Sequence, residues 1–423
     1  MNQGQNALRR RPAPTQDPGE ERSQERAAVD ATGLQPEVAA FGEWDTSNLG
    51  DRGIHEGVLR FFGECGWRVG SYALGSLTPV SPEAARSAPA AAPGRISSAL
   101  GAAPGLKRAL RKVRQGVRMA ALLPRLRRAQ AILVGGGELL SDSNLHFPQS
   151  LAAITEASRR LDKPLLCLGC GAEGAWSTRG GEMIRKFLAE CTLVAARDRD
   201  TAERLTAALG KPVPVFGDFC LNEGLLLRRG GWSRRRRALA INVQRIPEPW
   251  GAQQDRYEDA LVELADRLMH LAVWQGLKTI RIFTTGPAED ALPAQRVFER
   301  LGGHGVELHV PASLEQLSGM LRECALVVAS RLHAGILGLA EGAPSVGFCP
   351  QPKLRRFFST VGIGDYGYEL DAGARLIHRL DEAGCAAIFA EQRDRIMRAP
   401  IWANRTRVRR DLRSLVTGAP GCG

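Results

Sequence analysis

The 423-residue chain contains no run of about 18 apolar residues, the length a helix needs to span a bilayer. Its Arg-rich first stretch also lacks the apolar segment of a secretory leader. Both absences set the expectation of a protein that stays inside the cell. Aromatic residues make up only 6% of the chain, and no recognition motif accompanies its positive charge. Little is available to stack on bases, so nucleic acid is not an expected partner. Cys167 and Cys170 form a lone C-x-x-C, with no second pair at zinc spacing. The nine cysteines therefore read as reduced, structural thiols of a cytoplasmic protein, and no metal site is expected.

Acidic residues are missing where basic ones crowd. Between Gly101 and Ala131 there are nine Lys or Arg and no Asp or Glu, in a chain of formal net charge +12. Leu106, Leu110, Val113 and Val117 recur there at helical spacing, with Arg108, Arg111, Lys112 and Arg114 on the rest of the turn. Three readings stand for such a basic amphipathic helix. It lies peripherally on an anionic membrane at the inner face, grips a phosphorylated ligand, or packs on its own domain.

Hydrophobic residues are plentiful at 44%, charged ones reach 24%, and the length suits two domains. Residues 1–37 are rich in Arg, Gln, Glu and Pro without periodicity and read as a disordered tail. Short apolar runs then alternate with helical patterns. Strands are expected near 37–41, 67–69, 131–134, 164–167, 193–195 and 213–215, and again near 239–243, 279–283, 306–310, 326–328 and 345–348. Strand alternating with helix implies parallel sheets built from right-handed crossovers. The expected α/β chain has two Rossmann-like halves facing a cleft. The first domain covers 38–227, with a flexible basic insertion near 80–128. A Gly/Arg-rich linker covers 228–237, the second domain 238–380, and a closing helix and tail 381–423. That helix, near 383–398, is expected to pack back on the first half.

Four segments fall at expected strand ends. Asn48, Gly50 and Asp51 follow the first strand, where small and Asx residues suit a turn whose backbone approaches a ligand, or a plain helix cap. Gly135, Gly136 and Gly137 remove every Cβ after 131–134 and expose main-chain N–H groups. They lack the Lys and Ser/Thr of a phosphate loop and the spacing of a dinucleotide fingerprint, so neither ATP nor NAD is expected. Arg197 emerges after 193–195, placed to fork an anion or to pair with Asp198 or Asp200. Ser330-Arg331-Leu332-His333 joins a buried strand to a helix start, and Lys353 follows the next strand. Two arginines, a lysine and an imidazole at such points suit an anionic substrate that needs proton transfer.

These motifs, in this order, resemble those of polysaccharide pyruvyl transferases: Asn48-x-Gly50-Asp51, the glycine triplet, Arg197-Asp198, Ser330 to Ala334, and Pro352-Lys353. Arg52-Gly53 and Gln351 depart from the family pattern. The resemblance implies a GT-B-like architecture and phosphoenolpyruvate as donor. It also implies a pyruvate ketal on a sugar, glycan or lipid-linked saccharide, as in exopolysaccharide biosynthesis. Arg197, Arg331 and Lys353 are then the cations for the donor, and His333 the acid for its C3, without cofactor. A GT-B sugar-nucleotide glycosyltransferase is the second reading. A non-catalytic protein that binds glycan or membrane is the third.

Overall fold

The computed structural model describes residues 35–81, 104–143, 145–172, 174–221, 237–247, 250–274, 276–303 and 305–417, with only the backbone at 104–114, 271–274 and 417. The expected tail (except 35–37), residues 82–103 of the expected insertion and the linker (except Arg237) lie outside those residues. The first half runs β1 (Glu37–Gly42), α1 (Leu49–Glu64), β2 (Arg68–Ala73), β3 (Thr78–Pro79), α2 (Pro104–Leu126), β4 (Ala131–Gly135) and α3 (His146–Leu161). It continues through β5 (Leu165–Cys170), α4 (Thr178–Glu190), β6 (Leu193–Ala196) and α5 (Arg199–Leu209). The second half opens with β7 (Ala238–Asn242), α6 (Gln254–Trp274), β8 (Thr279–Phe283), α7 (Ala291–Leu301), β9 (Val306–His309) and α8 (Leu314–Arg322). It closes with β10 (Cys324–Ala329), α9 (Leu332–Ala340), β11 (Ser345–Phe348), α10 (Lys353–Thr360), β12 (Gly367–Tyr368), α11 (Gly373–Met397) and α12 (Ile401–Thr417).

Each half carries a six-stranded sheet, ordered β3-β2-β1-β4-β5-β6 and β12-β11-β10-β7-β8-β9. All strands are parallel except β3, which runs antiparallel to β2. Each chain half winds outward, crosses over and winds the other way. This leaves a topological switch point between β1 and β4 and another between β7 and β10, where open α/β sheets bind ligands. The expected strand at 213–215 is reduced to one bridge, Ala196 with Val215. Pro212 and Pro214 have no N–H to give a ladder.

The central strands are buried on both faces, which is why they read as continuous apolar runs. Val38, Ala40, Leu133 and Leu168 face α1 and join one apolar cluster that continues through the second half. Ala39, Phe41, Ile132 and Val134 pack under α2, α3 and α4. Met119, Leu122 and Leu126 of α2 belong to that second cluster, and Gln115 donates to the Ser150 hydroxyl at 3.1 Å. The C-terminal part of the basic helix thus packs on its own domain. No helix among the described residues is long and apolar enough to cross a membrane.

The end of the chain departs from the expected single helix and tail. α11 bends at Gly384, where φ is 67°, and a second helix, α12, recrosses to the first half. Asn404 donates to the Val215 carbonyl at 2.8 Å, Arg405 Nε to that of Phe216 at 2.9 Å, and Arg409 pairs with Glu64 at 3.0 Å. The halves also touch directly: the Leu49 N–H donates to the Thr285 carbonyl at 2.8 Å.

Candidate functional site

A cavity of about 470 Å³ lies between the halves at the carboxyl ends of both sheets. The first half supplies Glu43, Asn48 and Asp51 after β1, Gly137 and Glu138 after β4, and Arg197 after β6. The second supplies Gln244 and Arg245 after β7, Ser330 to His333 after β10, and Lys353 after β11. Asn48, Asp51, Gly137, Arg197, Arg331, Leu332, His333 and Lys353, separated in sequence, therefore line one space. Gly50, Gly135 and Gly136 are not among its lining residues. Gly136 backs onto Ile54, and Gly50 sits against the His333 ring.

The turn before α1 is a cap rather than an open cradle. Asn48 Oδ1 accepts from the Gly50 N–H at 3.0 Å, its carbonyl accepts from Asp51, and Leu49 is bonded across to Thr285. Those N–H groups are spoken for, so the backbone there does not reach toward a ligand. What Asn48 and Asp51 present to the cavity is side chain.

Each of the three expected cations is met by a carboxylate. Arg197 is buried, with Nε 3.2 Å from Asp198 Oδ2. Its guanidinium lies over Gly171, where a Cβ would fall 2.6 Å from Cζ. Arg331 forks Asp290 at 2.5 and 2.6 Å, with Glu289 at 3.7 Å. Burial pushes the Asp290 carboxyl up, and the Arg331 fork offsets only part of that. Lys353 Nζ reaches Glu138 Oε2 at 2.6 Å, an ion pair that ties the second half to the first. Asp198 also caps α5, its Oδ1 accepting from the Thr201 N–H at 2.9 Å.

His333 stands in the first turn of α9 with Nε2 3.4 Å from Asp218 Oδ2. Asp218 is fully buried, and its Oδ1 accepts from the Cys220 N–H at 2.9 Å. Burial alone would raise its pKa. His333 at 3.4 Å, with Arg197 nearby and the Cys220 N–H, overcomes that and holds the carboxyl down at about 2. Two other carboxyls move the opposite way. Burial raises Asp51 to about 6 against the pull of His333, and raises Glu43 to about 7, helped by Asp51, Asp45 and Glu138. Glu43 is open to the cleft on one side yet backed by protein and like charges. One cavity thus holds cations, an imidazole anchored to a carboxylate, and two carboxyls poised near neutrality. It can bind an anion, give a proton and take one.

Sequence reasoning missed Asp218, Asp290 and Glu43. Asp218 stands in Phe216-Gly217-Asp218-Phe219-Cys220, a lone acid in an apolar run, which is the signal that was there to read. Asp218, Cys220 and His333 also bring three ligand-type atoms within 4.8 Å of one another. The Cys220 thiol is pushed well up by burial and by Asp218, and its sulfur lies 3.8 Å from the Gly50 carbonyl. No disulfide joins the cysteines among the described residues.

The sequence model of one family, described as polysaccharide pyruvyl transferase, matches residues 94–349, more than half of the chain. The match takes in Gly135 to Gly137, Arg197 and Arg331 to His333, and leaves Asn48, Asp51 and Lys353 outside. No curated protein matches the chain. Among solved structures, the UDP-GlcNAc 2-epimerase of Neisseria meningitidis bound to UDP-GlcNAc is similar with TM-score 0.53 at 11% identity, over 91% of this chain and 100% of that one. An alpha-glucosyltransferase in complex with UDP and DNA gives TM-score 0.51 at 7% identity, over 91% and 100%. The UDP-GlcNAc 2-epimerase of Methanocaldococcus jannaschii gives 0.50 at 11%, over 82% and 92%. At such identities the likeness is one of fold, the GT-B arrangement of two mostly parallel α/β halves.

Proposed function

Because the chain belongs to the polysaccharide pyruvyl transferase family, we propose that it joins the pyruvyl unit of phosphoenolpyruvate to two hydroxyls of a sugar or glycan as a ketal. The observation that carries this reading is the meeting of Arg197, Arg331, Lys353 and His333 in one cavity between the halves. Phosphoenolpyruvate carries a carboxylate and a phosphate, and a guanidinium fork suits either. Lys353 gives up Glu138 for a donor oxygen, and Arg331 keeps Asp290 while turning its remaining N–H groups inward.

His333 protonates C3, which makes C2 electrophilic. One sugar hydroxyl adds to C2 and loses its proton to Asp51 or Glu43, whose raised pKa values suit a base at neutral pH. The C2–O bond to phosphate breaks, and the second hydroxyl adds in its place. Of the two hydroxyl protons released, one replaces the proton given to C3 and the other leaves with phosphate. A lipid-linked acceptor would bring the basic stretch of α2 to an anionic membrane surface.

The test pairs binding with isotope transfer. Phosphoenolpyruvate should raise the melting temperature where UDP-sugars do not. In deuterated water with a glycan acceptor, deuterium should appear in the pyruvyl methyl. Stabilisation by a UDP-sugar alone, with no pyruvylated product, would overturn the proposal in favour of a glycosyltransferase.

A further inference from the structure

Arg405 lies on α12, nearly two hundred residues beyond the loop it touches. Only 3% of it is exposed. Its donors go to the main-chain carbonyls of Phe216, Leu221 and Asp218 rather than to a carboxylate. Its guanidinium also stacks on the Phe216 and Trp402 rings at 4.7 and 5.1 Å. Burying a charge against carbonyls alone costs more than filling the same space with an apolar side chain, so stability is a poor reason for it. Burial pushes its pKa down to about 10, and the Asp218 charge opposes that fall.

What the arrangement achieves is orientation. The loop that Arg405 grips carries Asp218, whose Oδ1 is pinned by the Cys220 N–H. Its other oxygen, Oδ2, faces His333 Nε2 at 3.4 Å. We infer that Asp218 is the positioning residue of His333, and that Arg405 holds Asp218 in register from the far end of the chain. This rests on the reading of His333 as the proton donor. Facing the Asp218 carboxylate, Nε2 is the nitrogen that keeps its proton, so the proton passed to substrate comes from Nδ1. The other charged or titratable groups around the pair are Asp51 on α1, Arg197 after β6, Cys220 beside Asp218, and Arg331 next to His333 itself. Asp218 is the one whose carboxylate oxygen lies 3.4 Å from the ring nitrogen.

The experiment compares variants of the full chain in steady-state turnover with phosphoenolpyruvate and glycan. Asp218→Asn should lower kcat on the order of 10²-fold, in line with loss of a group that orients a catalytic side chain, and leave KM for phosphoenolpyruvate within about twofold. Arg405→Met should lower kcat in the same one-sided way, and Arg405→Lys should recover part of it. Wild-type turnover in Asp218→Asn, or KM rising together with the fall in kcat, would overturn the relay. His333→Gln is the control for the reading beneath it: if that variant stays active, the acid assignment falls first. Should Asp218→Asn fail to fold, nitrogen-15 histidine NMR of the wild type decides. A protected Nε2–H, missing in His333→Gln, supports the pairing, and a neutral ring protonated only on Nδ1 refutes it. Stoichiometric zinc in the purified enzyme, lost with activity on chelation, would also refute it, since Asp218, Cys220 and His333 would then be ligands.

Discussion

Gly50→Ala tests how closely α1 and the start of α9 must pack to place the His333 ring. Gly50 is in the first turn of α1, and its φ is not in the left-handed region, so alanine fits the backbone. By helix propensity the change should stabilise by up to about 1 kcal/mol. A Cβ there, however, would fall 2.5 Å from His333 Cγ and 2.6 Å from its Cβ. Ordinary carbon contacts need about 3.5 Å, so something must give by roughly 1 Å. α1 is held by Asn48 and by Leu49 across the cleft, whereas His333 is a side chain with 12% exposure. Rotating the ring cannot relieve a contact at Cβ, so the first turn of α9 must shift and carry the ring away from its 3.4 Å approach to Asp218. A misplacement of about 1 Å costs on the order of 10² in rate, or roughly 2.7 kcal/mol of barrier. The assay is phosphate release from phosphoenolpyruvate at saturating acceptor, beside a melting curve. Expected is a Tm lowered by the overpacking together with kcat down about 10²-fold. Wild-type turnover in a folded Gly50→Ala protein would refute a catalytic role that depends on where this ring sits.

Other outcomes follow from the same geometry. Gly171→Ala should push Arg197 aside and raise KM for phosphoenolpyruvate at least tenfold, measured by steady-state kinetics. Arg331→Lys should weaken donor binding in calorimetry, because lysine cannot fork both Asp290 and an anion. Asp51→Asn should raise Tm near pH 8 and not near pH 3. The folded carboxyl, raised from 3.8 to about 6, costs stability only once pH climbs through that window, up to a ceiling of roughly 3 kcal/mol. Asp218 is depressed from 3.8 to about 2, so its contribution is complete above pH 3.8 and fades as pH falls toward 2. Denaturant titrations of Asp218→Asn against wild type should converge there. If α2 reaches lipid, binding to anionic vesicles should fall steeply with salt, and equal binding to neutral vesicles would leave it a surface helix.

The sheets were legible because parallel strands buried on both faces must be apolar end to end, and 131–134 or 326–328 have no other comfortable place. Residues 213–215 look the same by composition, and only the missing N–H groups of Pro212 and Pro214 separate a bridge from a strand. The cations were legible as well, since Arg197, Arg331 and Lys353 stand at strand ends that topology gathers. Their partners were not. Arg331 finds Asp290 across 41 residues and Lys353 finds Glu138 across 215, pairings fixed by how two sheets face each other. The Asn48 turn shows the converse case, where residue types suited to a ligand are spent on capping.

The return of α12 also orders events as the chain is made. The first sheet has all its strands once β6 is complete, and domains generally fold in order of synthesis. Yet the carbonyls of Phe216, Asp218 and Leu221 wait for Arg405, which emerges only after the whole second half. Until then they must stay wet, because a buried acceptor without a donor costs about 1–3 kcal/mol. A ribosome stalled before residue 405 should therefore hold a first half whose sheet is formed and whose Asp218 loop is open to protease. Cleavage there should cease when the last helix clears the exit tunnel.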